Sequence, residues 1–141
     1  MEHTSLRTDW TTRWLGAAGL AAIAVIHLLD LPGKLEETKL IASLYILLII
    51  GCVLGIGLLL RVQSRLAWMA AAVLAAAPFI CYCLSRTVGL PTLTDDIGNW
   101  TEPLGLLSLV VEGALFLFAV TRSVPGLSVE PVRPRQPRRR G

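Results

Sequence analysis

Ionisable side chains inside or beside long apolar stretches are the residues of this chain that could carry chemistry. A charged group near the centre of a bilayer costs at least about 2.5–3.5 kcal/mol, so it normally faces protein and has a partner there. An imidazole or a carboxyl group at that depth can bind a proton, a metal ion or a ligand. The candidate polar cluster consists of His27, Asp30, Glu37, Tyr82, Arg86 and Glu112.

Helical spacing brings the members of this cluster to a similar depth. Glu112 lies about 12 Å along its predicted helix, and Ser108, four residues earlier, shares its face. His27 lies about 6 Å from the end of the first predicted helix. Tyr82 and Arg86 are four residues apart at the end of the third predicted helix. We therefore expect one polar layer in the outer half of the membrane.

Two interpretations of this layer stay open. In the first the polar groups satisfy one another, because buried charges need partners in any case. The pairs expected are Arg86 with Glu112 or Glu37, and His27 with Asp30 or Tyr82. In the second the layer binds a ligand, a proton or a metal ion.

The cysteines and histidines argue against a metal centre or a thiol enzyme. Cys81 and Cys83 are two residues apart and point to different sides of a helix, so they do not form a redox pair. Cys52 lies near mid-bilayer, where free cysteine usually acts as a small apolar residue. A site made by Cys81 with His27 is the one metal alternative. No nucleotide-binding or nucleophile motif is present, so the sequence favours a non-enzymatic protein and leaves any cofactor unknown.

The elements that position the polar layer are four apolar blocks of membrane-spanning length. The chain has 141 residues, of which 54% are hydrophobic, and about 20 apolar residues are needed to cross a bilayer. We predict an all-α protein, a four-helix transmembrane bundle formed by residues 14–121. The predicted helices cover residues 14–31, 40–60, 66–84 and 104–120.

Basic residues predict the orientation of this bundle, because they are retained on the cytoplasmic side in short loops. Ten of the 13 basic residues lie on one predicted side, and Lys34, Lys39 and Arg86 lie on the other. This distribution predicts an up-down-up-down bundle in the plasma membrane with both termini in the cytoplasm. Residues 1–13 form the cytoplasmic N-terminal segment.

Residues 122–141 predict a disordered, basic tail rich in proline and arginine. The net charge of +3 is mainly an orientation signal, so we predict contact with anionic lipid headgroups and no nucleic-acid binding. Arginine far outnumbers lysine, which is typical of GC-rich bacterial genomes.

Proline and glycine predict how the helices end and pack. Pro32 and Gly33 predict the end of the first helix. Gly51 and Gly55 predict a close helix contact, within the bundle or in a dimer. Pro78 predicts a kink that flanks a cavity. The long connection 85–103 is expected to be ordered, with Thr101 as the cap of the fourth helix.

The chain resembles a group of small four-helix membrane proteins of actinobacterial type. Three motifs carry the resemblance: H-x4-P-x4-E from His27 to Glu37, Y-x2-SRTVGLP from Tyr82 to Pro91, and E-P-x-G from Glu102 followed by Glu112. The resemblance implies that His27, Glu37, Arg86 and Glu112 act as a set, and it supplies no reaction. In that group an acidic residue and a histidine often follow the proline. This chain has Gly33 and Lys34 there, which weakens a two-histidine metal site.

These patterns favour a non-enzymatic accessory or interaction protein whose polar layer receives a small ligand. The alternative is a subunit for proton handling or small-solute transport, in which Glu112 titrates and His27 relays the proton. A metal-dependent or thiol-dependent enzyme is the third class. Expected partners are the lipid bilayer and either a second copy of the chain or another membrane protein.

Overall fold

The computed structural model describes residues 2–62, 64–91 and 94–124, and this part of the chain folds into four long helices. They are α1 (Glu2–Glu37), α2 (Lys39–Arg61), α3 (Arg65–Thr87) and α4 (Pro103–Ser123). No strand element occurs in the described residues, so the predicted all-α fold class is confirmed. The tail from residue 125 onward lies outside the described residues.

Each helix is long and apolar enough to cross a membrane. The segment of α1 that meets this criterion is Trp10–Glu37, whose 28 residues extend about 42 Å at 1.5 Å per residue. Large apolar side chains are exposed on the outside of the bundle, as expected where lipid is the solvent. Among the most exposed are Leu29, Leu47, Leu54, Leu66, Val73, Val110 and Leu117.

α1 corrects two boundaries predicted from the sequence. The helix begins at Glu2, so the predicted N-terminal segment is helical from that residue. It also continues through Pro32 and Gly33 to Glu37, so the prediction that these residues end the helix was wrong. A proline removes one backbone hydrogen bond, and a membrane helix tolerates this loss. Thr38 alone then connects α1 to α2.

Hydroxyl groups cap two of the helices at their first residues. The Thr38 hydroxyl accepts the Ile41 N–H at 3.2 Å at the start of α2, and the Ser64 hydroxyl accepts the Ala67 N–H at 3.2 Å at the start of α3. The prediction for α4 was wrong, because its N-cap is Glu102 and Thr101 bonds to the Asn99 side chain. The Glu102 carboxylate caps no N–H, since it binds an arginine instead.

Contacts in opposite order along the chain show that neighbouring helices are antiparallel. Along α1 and α2, Leu20 lies against Gly55, whereas Asp30 bonds to Tyr45. Along α3 and α4, the Trp68 ring packs on Phe118, whereas Tyr82 lies against Gly105. α1 also packs on α4, and α2 on α3, which closes the bundle.

The two ends of the bundle differ in charge. At the basic end α1 begins, α2 ends, α3 begins and α4 ends; its charged residues include Arg13, Arg61, Arg65 and Arg122. At the acidic end the opposite termini meet, together with the connection 88–102; its charged residues include Glu36, Glu37, Asp95, Asp96 and Glu102.

Small residues bring the helices together in the half of the bundle toward the basic end. Gly51 and Gly55 face Leu74 of α3, so the predicted close contact is confirmed inside the bundle. Gly16 lies against the Trp68 ring, where an added Cβ would come within 3.0 Å of ring atoms. The buried apolar core in this half includes Leu20, Leu59, Ala67, Ala71, Ala75 and Ala119.

Arg13 stabilises the end of α2 at the basic end. Its Nε donates to the Leu59 carbonyl at 2.6 Å, and its Nη2 donates to the Leu60 carbonyl at 2.5 Å. These carbonyls belong to the last turn of the helix, where no intrahelical partner remains, so the cation fits both the hydrogen bonds and the helix dipole. Arg13 therefore links α1 to α2.

Candidate functional site

Arg86 binds the connection between α3 and α4 at the acidic end. The side chain is 3% exposed, and its Nη1 lies 2.7 Å from Asp96 Oδ1. Its Nη2 donates to the Glu102 carboxylate. The guanidinium carbon also lies 4.7 Å from the centroid of the Tyr82 ring. One buried cation therefore holds the connection and the start of α4 against α3.

Two glycines shape this connection. Gly89 and Gly98 have φ angles of 81° and 83°, a left-handed conformation that other residues rarely adopt. The Gly98 N–H donates to the Arg86 carbonyl at 2.9 Å. Arg86 is thus bonded to the connection through both its side chain and its backbone. In its described part the connection is ordered by these bonds, as the sequence predicted.

Glu112 and His27 meet in the interior of the bundle. Glu112 is 1% exposed, and one of its carboxyl oxygens accepts the hydroxyl hydrogen of Ser108, four residues earlier on α4. His27 Nε2 on α1 lies 3.7 Å from the same oxygen. Within the part of the chain that the structure describes, no lysine or arginine forms an ion pair with Glu112. The imidazole is therefore its one ionisable partner there.

The backbone of α1 selects one tautomer of His27. His27 Nδ1 lies 2.9 Å from the Ile23 carbonyl oxygen, which can only accept, so Nδ1 carries a hydrogen. In the neutral imidazole Nε2 is then an acceptor and faces the Glu112 carboxyl group. Two acceptors in contact are unfavourable without a proton between them. The pair therefore suits the binding of one shared proton.

Asp30 and Tyr45 form a second polar pair between α1 and α2. The Tyr45 hydroxyl donates to Asp30 Oδ2 at 3.0 Å. The Tyr45 ring also packs edge-on against His27, with ring centroids 4.7 Å apart. Among the described residues, Asp30 has no ion-pair partner within 4 Å. This carboxyl group is only partly buried and lies beside the aromatic pair.

Lys34 and Glu37 form a third polar pair at the end of α1. Lys34 is 7% exposed, and its Nζ lies 2.8 Å and 3.1 Å from the two carboxylate oxygens of Glu37. Glu37 itself is exposed. The side chain of Glu37 is therefore bound at the surface of the acidic end, away from Glu112 and His27.

The structure places all six candidate residues at or near the acidic end but changes their expected pairing. Arg86 pairs with Asp96 and Glu102, so the expected pairs with Glu112 or Glu37 were wrong. His27 meets Glu112 instead of the expected Asp30 or Tyr82. The connection folds back onto the end of α3, where Arg86 lies. Its carboxylates, Asp96 and Glu102, are therefore nearer to Arg86 than Glu112, which lies deeper in the bundle.

A cavity of about 370 Å³ lies between α2 and α3 in the half of the bundle toward the acidic end. Its walls are mainly apolar and include Leu40, Leu44, Leu47, Leu74, Ala77 and Pro78. Pro78 thus flanks a cavity, as the sequence predicted. The polar end of the cavity is formed by His27, Asp30, Lys34, Tyr45, Arg86 and Ser108.

The cavity continues to the lipid-facing surface of the bundle. Leu44 and Leu47 line it, yet 46% and 66% of their surface is exposed. The connection closes the cavity at the acidic end, where Leu90, Pro91 and Glu102 contribute to the lining. The apolar wall of the cavity is therefore exposed on the outside of the bundle.

Tyr82 packs tightly against α4 beside this cavity. A Cβ added at Gly105 would overlap the Tyr82 ring, so this glycine permits the close approach. The Tyr82 hydroxyl is buried without a hydrogen-bond partner, as are Arg86 Nε and the second carboxyl oxygen of Glu112. In the described residues these three are the unsatisfied buried side-chain atoms, and all belong to the polar layer.

The described residues contain no group of three or more His, Cys, Asp or Glu side chains that could hold a metal ion. Cys52 is buried in the apolar core, and Cys81 lines the cavity as a free thiol. Cys81 and Cys83 form no disulfide. The cysteines are consequently available as packing groups or as labels.

No family model, curated protein or solved structure matches this chain.

The sequence interpretation missed several partners in the site. Tyr45, Lys34, Asp96 and Glu102 each bind one of the six candidate residues. One signal could have identified Asp96 and Glu102, because both belong to the connection that starts directly after the helix carrying Arg86. Tyr45 offered no such signal, since its partner depends on the rotation of α2 against α1.

Proposed function

We propose that this protein is a small, non-enzymatic component of the plasma membrane of a bacterium, which receives a small lipophilic ligand in the cavity between α2 and α3. The carrying observation is the cavity of about 370 Å³, with apolar walls that reach the lipid-facing surface and a polar end inside the bundle. Sites for small molecules usually combine apolar walls with a few polar groups that fix orientation.

The polar layer contributes to this proposal in two ways. Arg86 holds the connection over the acidic end of the cavity, and its bonds rigidify that wall. His27, Asp30 and Tyr45 then present polar atoms at a fixed position inside the membrane. These polar groups line a space that no other side chain of the described residues fills.

A bulky side chain in the cavity tests this function. Ala77→Trp fills the cavity from the α3 wall, whereas Val73→Trp places the same side chain on the exposed surface one turn away. Native mass spectrometry of protein extracted from its own membranes should show a bound small molecule on the wild type and on Val73→Trp. Loss of that mass from Ala77→Trp alone is the expected result. Equal spectra for all three proteins contradict the proposal.

A second function is supported by the pair of His27 and Glu112. The fixed tautomer of His27 leaves its Nε2 facing a buried carboxyl group at 3.7 Å, an arrangement suited to holding and passing a proton. We propose proton handling as the alternative function, with Glu112 as the titrating group and His27 as the relay. Four helices leave little room for a path, so this alternative requires a second copy or another membrane protein.

Proteoliposomes distinguish this alternative. A pH-sensitive dye inside vesicles should report proton entry under an imposed pH gradient with the wild type and not with Glu112→Gln. Ser123→Ala, a change at the opposite end of α4, serves as the control. Equal proton entry with Glu112→Gln and the wild type contradicts the alternative. Chemical cross-linking at the same protein density in the vesicles shows whether the chain forms the oligomer that this alternative requires.

We further propose that both termini lie in the cytoplasm and that the acidic end faces outward. The excess of basic residues at the opposite end supports this orientation. A cytoplasm-active reporter fused after Arg122 should work, and one inserted near Asp95 should not. The opposite pattern contradicts the orientation. The motifs shared with the actinobacterial group of four-helix proteins support placing this chain with them.

A further inference from the structure

Three hydroxyl groups at the polar end of the cavity already donate hydrogen bonds within the protein. The hydroxyls of Tyr45, Ser85 and Ser108 donate to Asp30, to the Tyr82 carbonyl and to Glu112, respectively. Their oxygens therefore remain as acceptors toward the cavity that these residues line. The one unused hydroxyl of the described lining residues, that of Tyr82, is completely buried against α4.

His27 adds a further acceptor to this surface. The imidazole lines the cavity, is 6% exposed and donates through Nδ1 to the Ile23 carbonyl. Its Nε2 makes no hydrogen bond among the described residues, and the Glu112 carboxyl oxygen that it faces lies 3.7 Å away, beyond hydrogen-bond distance. When no proton is shared with Glu112, Nε2 of the neutral imidazole keeps a free lone pair.

The charges around the cavity favour a cation over an anion. Two cations, Lys34 and Arg86, line it, and both are bound to carboxylates. Four carboxylates face these two cations: Asp30, Glu37, Asp96 and Glu102. Asp30 lines the cavity and, among the described residues, has no cationic partner within 4 Å. Of these four carboxylates, Asp30 is the one that forms no ion pair with a described residue, although Lys34 is close enough to interact with it electrostatically.

We propose that the cavity binds a lipophilic amine in its protonated, ammonium form. An ammonium group supplies a positive charge for Asp30 and several N–H donors for the acceptor atoms of the lining, whereas Lys34 and Arg86 are already bound to other carboxylates. Asp30 is its ion-pair partner, and His27 Nε2 and the Tyr45 oxygen accept its other hydrogens. The apolar body lies against Leu44, Leu74 and Ala77. This assignment rests on the proposed function, since it names the ligand class for the same cavity.

Three probes with one apolar body separate this ligand class from others. 1-Adamantylammonium carries the proposed group, 1-adamantanol replaces it by an uncharged hydroxyl, and 1-adamantanecarboxylate replaces it by an anion. The compact cage keeps the apolar contacts the same. Isothermal titration of the protein in phosphatidylcholine nanodiscs, with empty nanodiscs as the blank, measures the three dissociation constants.

The ammonium probe should bind about tenfold or more tightly than the alcohol, because hydrogen bonds to charged groups are the stronger ones, and the carboxylate should bind least. Asp30→Asn should weaken ammonium binding by about tenfold and leave binding of the alcohol nearly unchanged. Asp95→Asn removes a charge at the same end outside the cavity and should change neither. Equal binding of ammonium to Asp30→Asn and wild type overturns the proposal, as does preferred binding of the carboxylate.

The cavity variants keep this result separate from that of the proposed function. Ala77→Trp should abolish binding of every probe, and Val73→Trp should leave it intact. If the alcohol or the carboxylate binds best and Ala77→Trp prevents it, the cavity is a ligand site and the amine assignment is wrong. If Ala77→Trp prevents the binding of none of the three probes, the amine assignment is wrong. Native mass spectrometry then shows whether the proposed function fails with it. Val73 and Ala77 are both exposed, so a tryptophan at either position should not prevent folding. If Asp30→Asn does not fold, the three probes measured on the wild type and on these two variants still test the proposal.

Discussion

The half of the bundle toward the basic end is packed with alanine and glycine, whereas the half toward the acidic end holds buried ions and a cavity. Toward the basic end, Ala67, Ala71 and Ala75 of α3 are fully buried. Toward the acidic end, the buried polar side chains include His27, Arg86 and Glu112. The same four helices are thus held together by different interactions at different depths.

This difference follows from the solvent. Lipid tails are as apolar as the helices, so close packing of small residues and polar contacts drive association inside a membrane. Gly51 and Gly55 let α2 approach α3 near mid-membrane. Beyond them the larger residues Leu44, Leu47 and Leu48 line the cavity between the same two helices. The half toward the acidic end is held by polar contacts between α1 and α4 and between α1 and α2. The cavity between α2 and α3 therefore remains as a space for a ligand.

The largest expected effect comes from the arginine of the acidic end. Arg86→Gln should lower the free energy of unfolding by about 3 kcal/mol, because it leaves Asp96 and Glu102 without their cation. Arg122→Gln at the basic end should change it by less than about 1 kcal/mol, since that side chain is exposed and packs only over the Phe118 ring. Denaturation in mixed micelles measures both values.

A double-mutant cycle sharpens this test. Arg86 and Glu102 should show a coupling energy, and Arg86 and Glu112 should show none, because the ion pair is formed with the first. Coupling to Glu112 instead would mean that the connection does not hold the cation.

A glycine substitution in each environment should give the next largest effect. Gly105→Ala should destabilise the protein by about 1–2 kcal/mol, since its Cβ would overlap the Tyr82 ring, which Arg86 and Trp100 hold in place. Gly57→Ala meets no atom within 4 Å and should be neutral, or stabilising by up to about 1 kcal/mol through helix propensity. Thermal unfolding of the two variants measures this order, and a reversed order contradicts the packing described for α3 and α4.

The buried carboxyl group should contribute less to stability than Arg86 does. Ser108→Ala removes the hydrogen bond to Glu112 and should cost about 1 kcal/mol. Glu112→Gln should cost less than about 1 kcal/mol, because the amide keeps the size of the side chain and can still accept the Ser108 hydroxyl. Both values come from the same denaturation assay. A loss as large as that of Arg86→Gln would show that Glu112 has an essential ion-pair role.

The smallest effect is expected at the end of α1. Glu37→Gln breaks the pair with Lys34, but Glu37 is exposed, so the loss should be no more than about 0.5 kcal/mol. Raising the salt concentration should reduce this difference further. A loss above that of Ser108→Ala would indicate that Lys34, which is 7% exposed, depends on this carboxylate.

The positions of the helices could be predicted from the sequence because apolar length is a local property. The four predicted blocks match α1 to α4 within a few residues at most ends. The exceptions have a physical reason. Pro32 and Gly33 are typical helix ends, yet α1 continues through them, because a proline removes only one backbone hydrogen bond and the i,i+3 pair of Lys34 and Glu37 supports the last turn.

The burial of three members of the polar layer could also be predicted, because an ionisable residue in an apolar stretch normally faces protein, whereas Glu37 is exposed and Asp30 is only partly buried. His27, Arg86 and Glu112 are 6%, 3% and 1% exposed, respectively. Their partners could not be predicted. The rotation of each helix brings Tyr45 to Asp30, and the path of the connection brings Asp96 to Arg86.

The sequence by itself therefore determined which segments are helical and which polar residues lie among them, since both depend on neighbours along the chain. Tertiary structure alone decided which polar group meets which, because helix rotation and the path of the connection set those distances. It also decided where space remains. Gly55 brings α2 close to Leu74 of α3, while larger side chains beyond it line the cavity that separates the two helices.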